Sequence, residues 1–286
     1  MSISTPLDHI SIEALHGPTE GRTYDLCSGY WPGMPLSTGH PPFQVITYRT
    51  PRGERNQRDL RFLDDNPVNF GFVSELVMGT QHTGTHIDAR GHITSGPGSE
   101  WFGGHSADVE LGDFGLLNND ASELRPIFAR GYLLDVPRAL GLEHLAPNQP
   151  IGPAELDLTC RVEGVEIEPN AAIMVRTGMM KFWPDPAGIT NVQDAGVSLA
   201  GAEWLATREP VVVGADTPAF EVAPSGVPGD PQPAHRFLLP QRGIPIMEWV
   251  FLETLSRDRV YDFLFVCIPL PIRGATGSMV RPLAIV

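Results

Sequence analysis

Lysine is nearly missing from this 286-residue chain: Lys181 stands alone against 34 aspartates and glutamates, and the formal charge is −14. So acidic a balance, with the arginines scattered rather than clustered, disfavours nucleic acid or an anionic membrane as partner. Cysteine is also scarce. Cys27, Cys160 and Cys267 are odd in number and far apart, so they read as buried thiols in a reducing compartment, not as a disulfide framework. A zinc-finger-like interaction module fails on the same count and on length. No apolar run approaches a membrane span. Residues 1–17 have no basic side chain apart from two histidines and no apolar run, so they do not read as a signal peptide. A soluble, cytoplasmic protein is expected.

What is present is a globular composition, 42% hydrophobic, heavily punctuated by 30 glycines and 28 prolines. That punctuation implies short elements and many turns, with no fixed-period repeat. Residues 7–15 fit a short amphipathic helix, and 22–26 and 44–48 fit strands. Residues 49–69, rich in charge and broken by Pro51, Gly53 and Pro67, read as a surface excursion. In the second half, elements alternate. Strands are expected at 131–136, 171–176, 211–215, 263–268 and 283–286. Helices are expected at 153–162, with proline in the first turn, and at 198–208, with Ser198 as N-cap. No linker separates two cores, so residues 1–286 are expected to form one α/β domain with a mixed sheet.

The chain is organised around residues 80–92, T-Q-H-T-G-T-H-I-D-A-R-G-H. His82, His86, Asp88 and His92 all occupy even positions, with Gly84 between them. In a strand over 82–88, even positions share one face, so two imidazoles and a carboxylate converge and Gly84 leaves open space. A helix would also bring His82 and His86 together. However, Thr83, Thr85 and Ile87 are β-branched and Gly84 would sit mid-helix, which favours a strand kinked at Gly84 and ending in a loop at Gly91. Packing alone has no reason to crowd four titratable groups, because burying them unpaired is costly. The pattern reads as an open site for a divalent metal. Beyond it, residues 94–104, rich in glycine, proline and serine and carrying Trp101 and Phe102, fit a mobile lid, with His105 at its end.

His82-Thr-Gly-Thr-His86-Ile-Asp88-x3-His92 resembles the H-x-G-T-H-x-D-x3-H signature of the cyclase family of metal-dependent hydrolases, which includes bacterial kynurenine formamidase and isatin hydrolase. Many members have a proline where this chain has Arg90. The resemblance extends from Tyr24-Asp-Leu through the motif to the strand around Val212, Asp216-Thr-Pro and Glu248. It implies a swivelling β/β/α architecture with a barrel-like core. Taken alone, His235 and Glu248, thirteen residues apart, would pass for unrelated surface residues. The resemblance makes them further ligands that complete a two-ion site, whereas relatives with glutamine in place of the glutamate use one manganese. It also implies that His92 moves protons, that Trp31 in Tyr30-Trp-Pro-Gly lines the substrate pocket, and that the protein is a homodimer or homotetramer. The aromatics Trp31, Trp101 and Phe102, which look exposed in the sequence, support both a substrate-binding role and an assembly that covers them.

These readings lead to a hydrolase holding one or two ions of zinc or manganese. It would open a small cyclic amide, lactone or N-acyl (formamide) substrate, with His92 as the catalytic acid–base group. The alternative is a non-catalytic, metal-dependent small-molecule-binding relative. The presence of His92 disfavours it, because a structural site needs no proton shuttle beside it.

Overall fold

The computed structural model describes residues 20–189 and 194–286; the helix expected at 7–15 lies outside them. Nine strands form one curled mixed sheet, a half-barrel. In chain order they are β1 (Thr23–Asp25), β2 (His86–Asp88), β3 (Ile127–Asp135), β4 (Ala172–Arg176), β5 (Val212–Ala215), β6 (Ile246–Glu248), β7 (Asp262–Cys267), β8 (Gly277–Met279) and β9 (Leu283–Ile285). Their spatial order is β1-β9-β7-β3-β4-β5-β6-β2-β8.

The middle of the sheet, β3-β4-β5-β6, is parallel, and the pairs outside it are antiparallel. Parallel neighbours need crossovers, and the helices Pro153–Glu163, Leu199–Ala206 and Pro233–Arg236 lie in them. The first opens on Pro153, with Glu155 accepting from Gly152 N at 2.9 Å, and ends at Gly164 with φ 69°. The second is capped as expected: Ser198 Oγ accepts from Gly201 N at 3.1 Å.

Two-residue periodicity splits the buried side chains between the two faces. Ile173, Val175, Val213 and Ile246 pack under the crossover helices with Leu156, Leu205 and Leu238. Ala172, Met174, Val212 and Met247 face the other way, against Leu252, Leu255, Phe263 and Phe265. Strands buried on both faces read as continuous apolar runs, which is why residues 171–176 and 211–215 stood out in the sequence. Of the cysteines, all free, Cys267 is buried as expected while Cys27 and Cys160 are only half-buried. No helix among the described residues is long and apolar enough to cross a membrane.

One element stands off this body. The strands Gln44–Arg49 and Ser74–Met78 pair only with each other, and the segment between them carries the helix Pro51–Gln57. This ribbon leads directly into the motif at residue 80.

Candidate metal site

Only His86–Asp88 of the motif is strand; residues 81–85 are a series of bends. The strand expected over 82–88 is corrected accordingly, and the cause lies at Gly84. Its φ is +53°, and an added Cβ would fall 2.8 Å from Met34 Cε and 3.0 Å from Gly29 O. Gly84 is thus a left-handed corner pressed against the segment that follows β1, and it opens no space between ligands. Thr85 then locks the entry to β2: its Oγ1 accepts from Ser28 N at 2.7 Å and donates to Trp249 O at 2.7 Å.

The convergence nevertheless occurs. On β2, His86 lies opposite Glu248 of β6, and Asp88 lies opposite Gly277 of β8. The corner at Gly84 brings His82 back over Asp88, with Nδ1 at 2.8 Å from Oδ1. Gly277 makes room for that ring, since a Cβ there would lie 2.9 Å from His82 Cε1. His86 Nε2 sits 3.4 Å from both Asp88 Oδ1 and Glu248 Oε2. His235, in the short crossover helix, points Nε2 at Glu248 Oε1, 3.0 Å away, and lies 3.9 Å from Asp88 Oδ2. His82, Asp88 and His92 each offer a ligand atom within 4.8 Å of the others, and so do Asp88, His235 and Glu248. Asp88 is common to both groups. The chain therefore places all six sequence-derived residues together, His235 and Glu248 included.

Three of the imidazoles that point a nitrogen inward have the other nitrogen engaged. His82 Nε2 meets Thr276 Oγ1 at 2.7 Å, His86 Nδ1 donates to Gly84 O at 2.8 Å, and His235 Nδ1 meets Glu221 Oε1 at 2.6 Å. Such contacts fix ring orientation and tautomer. What remains is unusual for a protein interior: apart from their close approaches to one another, His82 Nδ1, His86 Nε2 and both Asp88 oxygens are buried without a hydrogen-bond partner. Buried polar atoms are normally satisfied. Four converging exceptions, all of metal-ligating type, fit a divalent cation.

The electrostatics follow the same logic. Burial would push His86 and His235 down, but Asp88 and Glu248 for the first, and Glu221 and Glu248 for the second, hold each up at about 10. Burial would raise Asp88, but His92, His82 and His86 keep it well below the usual carboxylate range. His92 behaves oppositely. Burial pushes it down to about 4 in spite of Asp88. Its ring stacks on His82, with centroids 3.9 Å apart.

The remaining expectations divide. Trp31 is half-buried and meets Trp183 edge-on, with centroids 5.6 Å apart. Trp101 is 3% exposed and donates its indole N–H to Asn118 Oδ1, so it packs inside its lobe and is not left in water. Phe102, half-buried, lies under the Arg90 guanidinium and against Gly243. Residues 100–101 pair antiparallel with 105–106, and Asn119 Nδ2 donates to Phe102 O at 2.8 Å, so the stretch expected as a mobile lid holds local structure of its own. His105 pairs with Glu110 instead of the cluster. After His235 a π-helical turn, Phe237–Gln241, runs through Pro240, and the chain turns at Gly243, φ +65°. Two site residues had no signal in the sequence. His40 stacks on His82 with centroids 5.2 Å apart, and Glu221 anchors His235; both are isolated and distant in sequence.

The sequence profile of the Cyclase family matches residues 8–222. Cyclase-like protein 2 from Oryza sativa subsp. japonica is 28% identical over 212 residues, 73% of this chain and 63% of that protein, so the chain spans less than two thirds of this relative's length. Among solved structures, one described as a novel cyclase superposes with a TM-score of 0.81 at 22% identity, covering 96% of this chain and 92% of that one. Isatin hydrolase A from Ralstonia solanacearum superposes with a TM-score of 0.68 at 18% identity, covering 98% and 99%. These likenesses show a shared fold, and the profile match over most of the length places this chain in the cyclase family.

Proposed function

We propose that the chain is a divalent-metal-dependent hydrolase that opens a small cyclic amide, a lactone or an N-acyl (formamide) substrate. The observation that carries this reading is the set of four unpartnered buried atoms on His82, His86 and Asp88, facing His235 and Glu248. These five residues would hold one or two ions, and a donor set of imidazole and carboxylate suits zinc or manganese. A divalent ion bound there supplies Lewis acidity, lowering the pKa of water from about 16 toward about 7 and polarising a carbonyl. His92 has the complementary property. Stacked on His82 beside Asp88, its imidazole would take a proton from water and return it to the departing nitrogen or oxygen. Trp31, whose ring lies against Gly29 in the segment that packs on Gly84, would meet a flat substrate. The likeness to a protein named isatin hydrolase A makes a lactam the first compound to try.

The test is a turnover assay of zinc- or manganese-loaded protein against isatin, N-formylkynurenine and simple lactones. At least one should be hydrolysed, and chelation should abolish the reaction. His92→Ala should keep its metal and lose about 10²- to 10⁴-fold in rate. Bound metal and bound ligand without turnover would instead favour a non-catalytic binding relative. If His92→Ala loses its metal, His92 is a ligand and the proton carrier must be another group.

A further inference from the structure

The segments that build the site contain a single permanent cation. Residues 28–48, 79–105, 217–235 and 243–256 supply His40, the motif, Glu221, His235 and Glu248, and apart from Arg90 they hold no lysine or arginine. Three carboxylates, Asp88, Glu221 and Glu248, gather around His235 in the same region. Arg90 pairs with none of them. Among the described residues its only hydrogen bond runs from Nε to Gly243 O, at 3.0 Å.

The side chain is nevertheless held in one orientation. The guanidinium lies over the Phe102 ring, 5.1 Å from its centroid, and a Cβ on Gly243 would fall 2.6 Å from that same ring. The backbone is fixed too, since His92 N bonds Ala89 O at 3.0 Å and Gly91 N bonds Asn119 O at 3.0 Å. Arg90 is half-buried, and among the described residues Nη1 and Nη2 have no hydrogen-bond partner. A guanidinium with one edge and one face engaged keeps its two amino groups as a preset pair of donors, which a carboxylate can meet with two parallel hydrogen bonds. Its place follows from the chain. Arg90 stands two residues after Asp88 and two before His92, so its Cα is at most about 7 Å from either. Gly243 belongs to the segment that joins His235 to Glu248, so Nε ties the motif to the other half of the ligand set.

We infer that Arg90 binds a carboxylate that the substrate carries away from its scissile carbonyl, so that the substrate is a small amide or lactone that is also an anion. The inference rests on the hydrolase reading above. With the reacting carbonyl at the cluster of His82, Asp88 and Glu248, a second anchor at Arg90 fixes the orientation of the molecule. Proline, which many members of the family have at this position, offers no such donor. Of the compounds named above, N-formylkynurenine carries a carboxylate of this kind and isatin does not.

Binding calorimetry on the zinc-loaded protein tests it with matched pairs: dihydroorotate against dihydrouracil, and 3-formamidobenzoate against formanilide. Binding needs no turnover, so a failure to hydrolyse any of the four would count against the hydrolase reading and leave this test standing. The acid of at least one pair should bind about 10- to 100-fold more tightly than its neutral partner. Arg90→Met should remove that preference, and Arg90→Lys should keep part of it, since the ammonium retains the charge and loses the fork. A merely structural role would weaken both members of a pair alike and leave their ratio unchanged. Arg90→Gln serves if the methionine variant does not fold. Where a pair is hydrolysed, the same ratio should appear in KM, with kcat changed less. No detectable binding of either acid, acids bound no more tightly than their neutral partners, or a preference that survives the loss of the guanidinium would each overturn the inference.

Discussion

His235 can offer Nε2 to the cluster because Glu221 holds the opposite edge of its ring, and Glu221 also accepts from the backbone N–H groups of Ala234 and His235. Removing the charge from such an orienting carboxylate typically weakens metal affinity by about 10- to 100-fold. Glu221→Gln should show that loss in a zinc or manganese titration, and wild-type affinity would mean that His235 needs no anchor. Away from the site, burial pushes the Glu163 carboxyl up to about 8. Between the ordinary carboxyl value of 4.5 and about 8 the folded chain retains a proton that the unfolded chain releases, so this residue's contribution to stability falls as pH rises through that window. Glu163→Gln should therefore gain melting temperature relative to wild type at pH 8 more than at pH 5, and a difference independent of pH would refute the assignment. At this scale the sequence was legible where chemistry was crowded. Four titratable groups within eleven residues have no packing rationale, so His82, His86, Asp88 and His92 stood out. His235 and Glu248 were visible only through resemblance. Glu221 and His40 were not visible, because a lone glutamate or histidine resembles any other until the fold brings it against a partner.

At the scale of the element, β2 shows how a correct convergence can come from an incorrect element. Alternation along 82–88 suggested a strand, and β-branched Thr83 and Thr85 agreed with it, yet strand pairing begins only at His86. What prevailed was tertiary: Ser28, Gly29 and Met34 press on Gly84 and force the corner that folds His82 over Asp88. The elements of the second half were easier to read, because doubly buried strands and capped helices advertise themselves over several residues. The corner yields a direct prediction. Gly84→Ala must adopt a left-handed φ, which costs an L residue about 1–2 kcal/mol before any crowding by Met34. Its melting temperature should fall by several degrees and its metal affinity with it; an alanine variant as stable as wild type would show that the corner is not required.

For the whole molecule, the parallel centre of the sheet was foreseeable from alternating strands and helices, but the strand order was not. The placement of β2 between β6 and β8 joins segments almost 200 residues apart, and no local pattern encodes that pairing. The same long-range closure assembles the site, with β2 supplying His86 and Asp88, β6 supplying Glu248, and a crossover helix supplying His235. This closure builds the candidate metal site. Elemental mass spectrometry of the purified wild type beside Asp88→Asn, each dialysed after exposure to zinc or manganese, tests it most directly. Wild type should hold about one to two divalent ions per chain and the variant markedly fewer, because Asp88 is common to both ligand groups. Wild type that retains essentially no metal, or Asp88→Asn that retains a full complement, would contradict it.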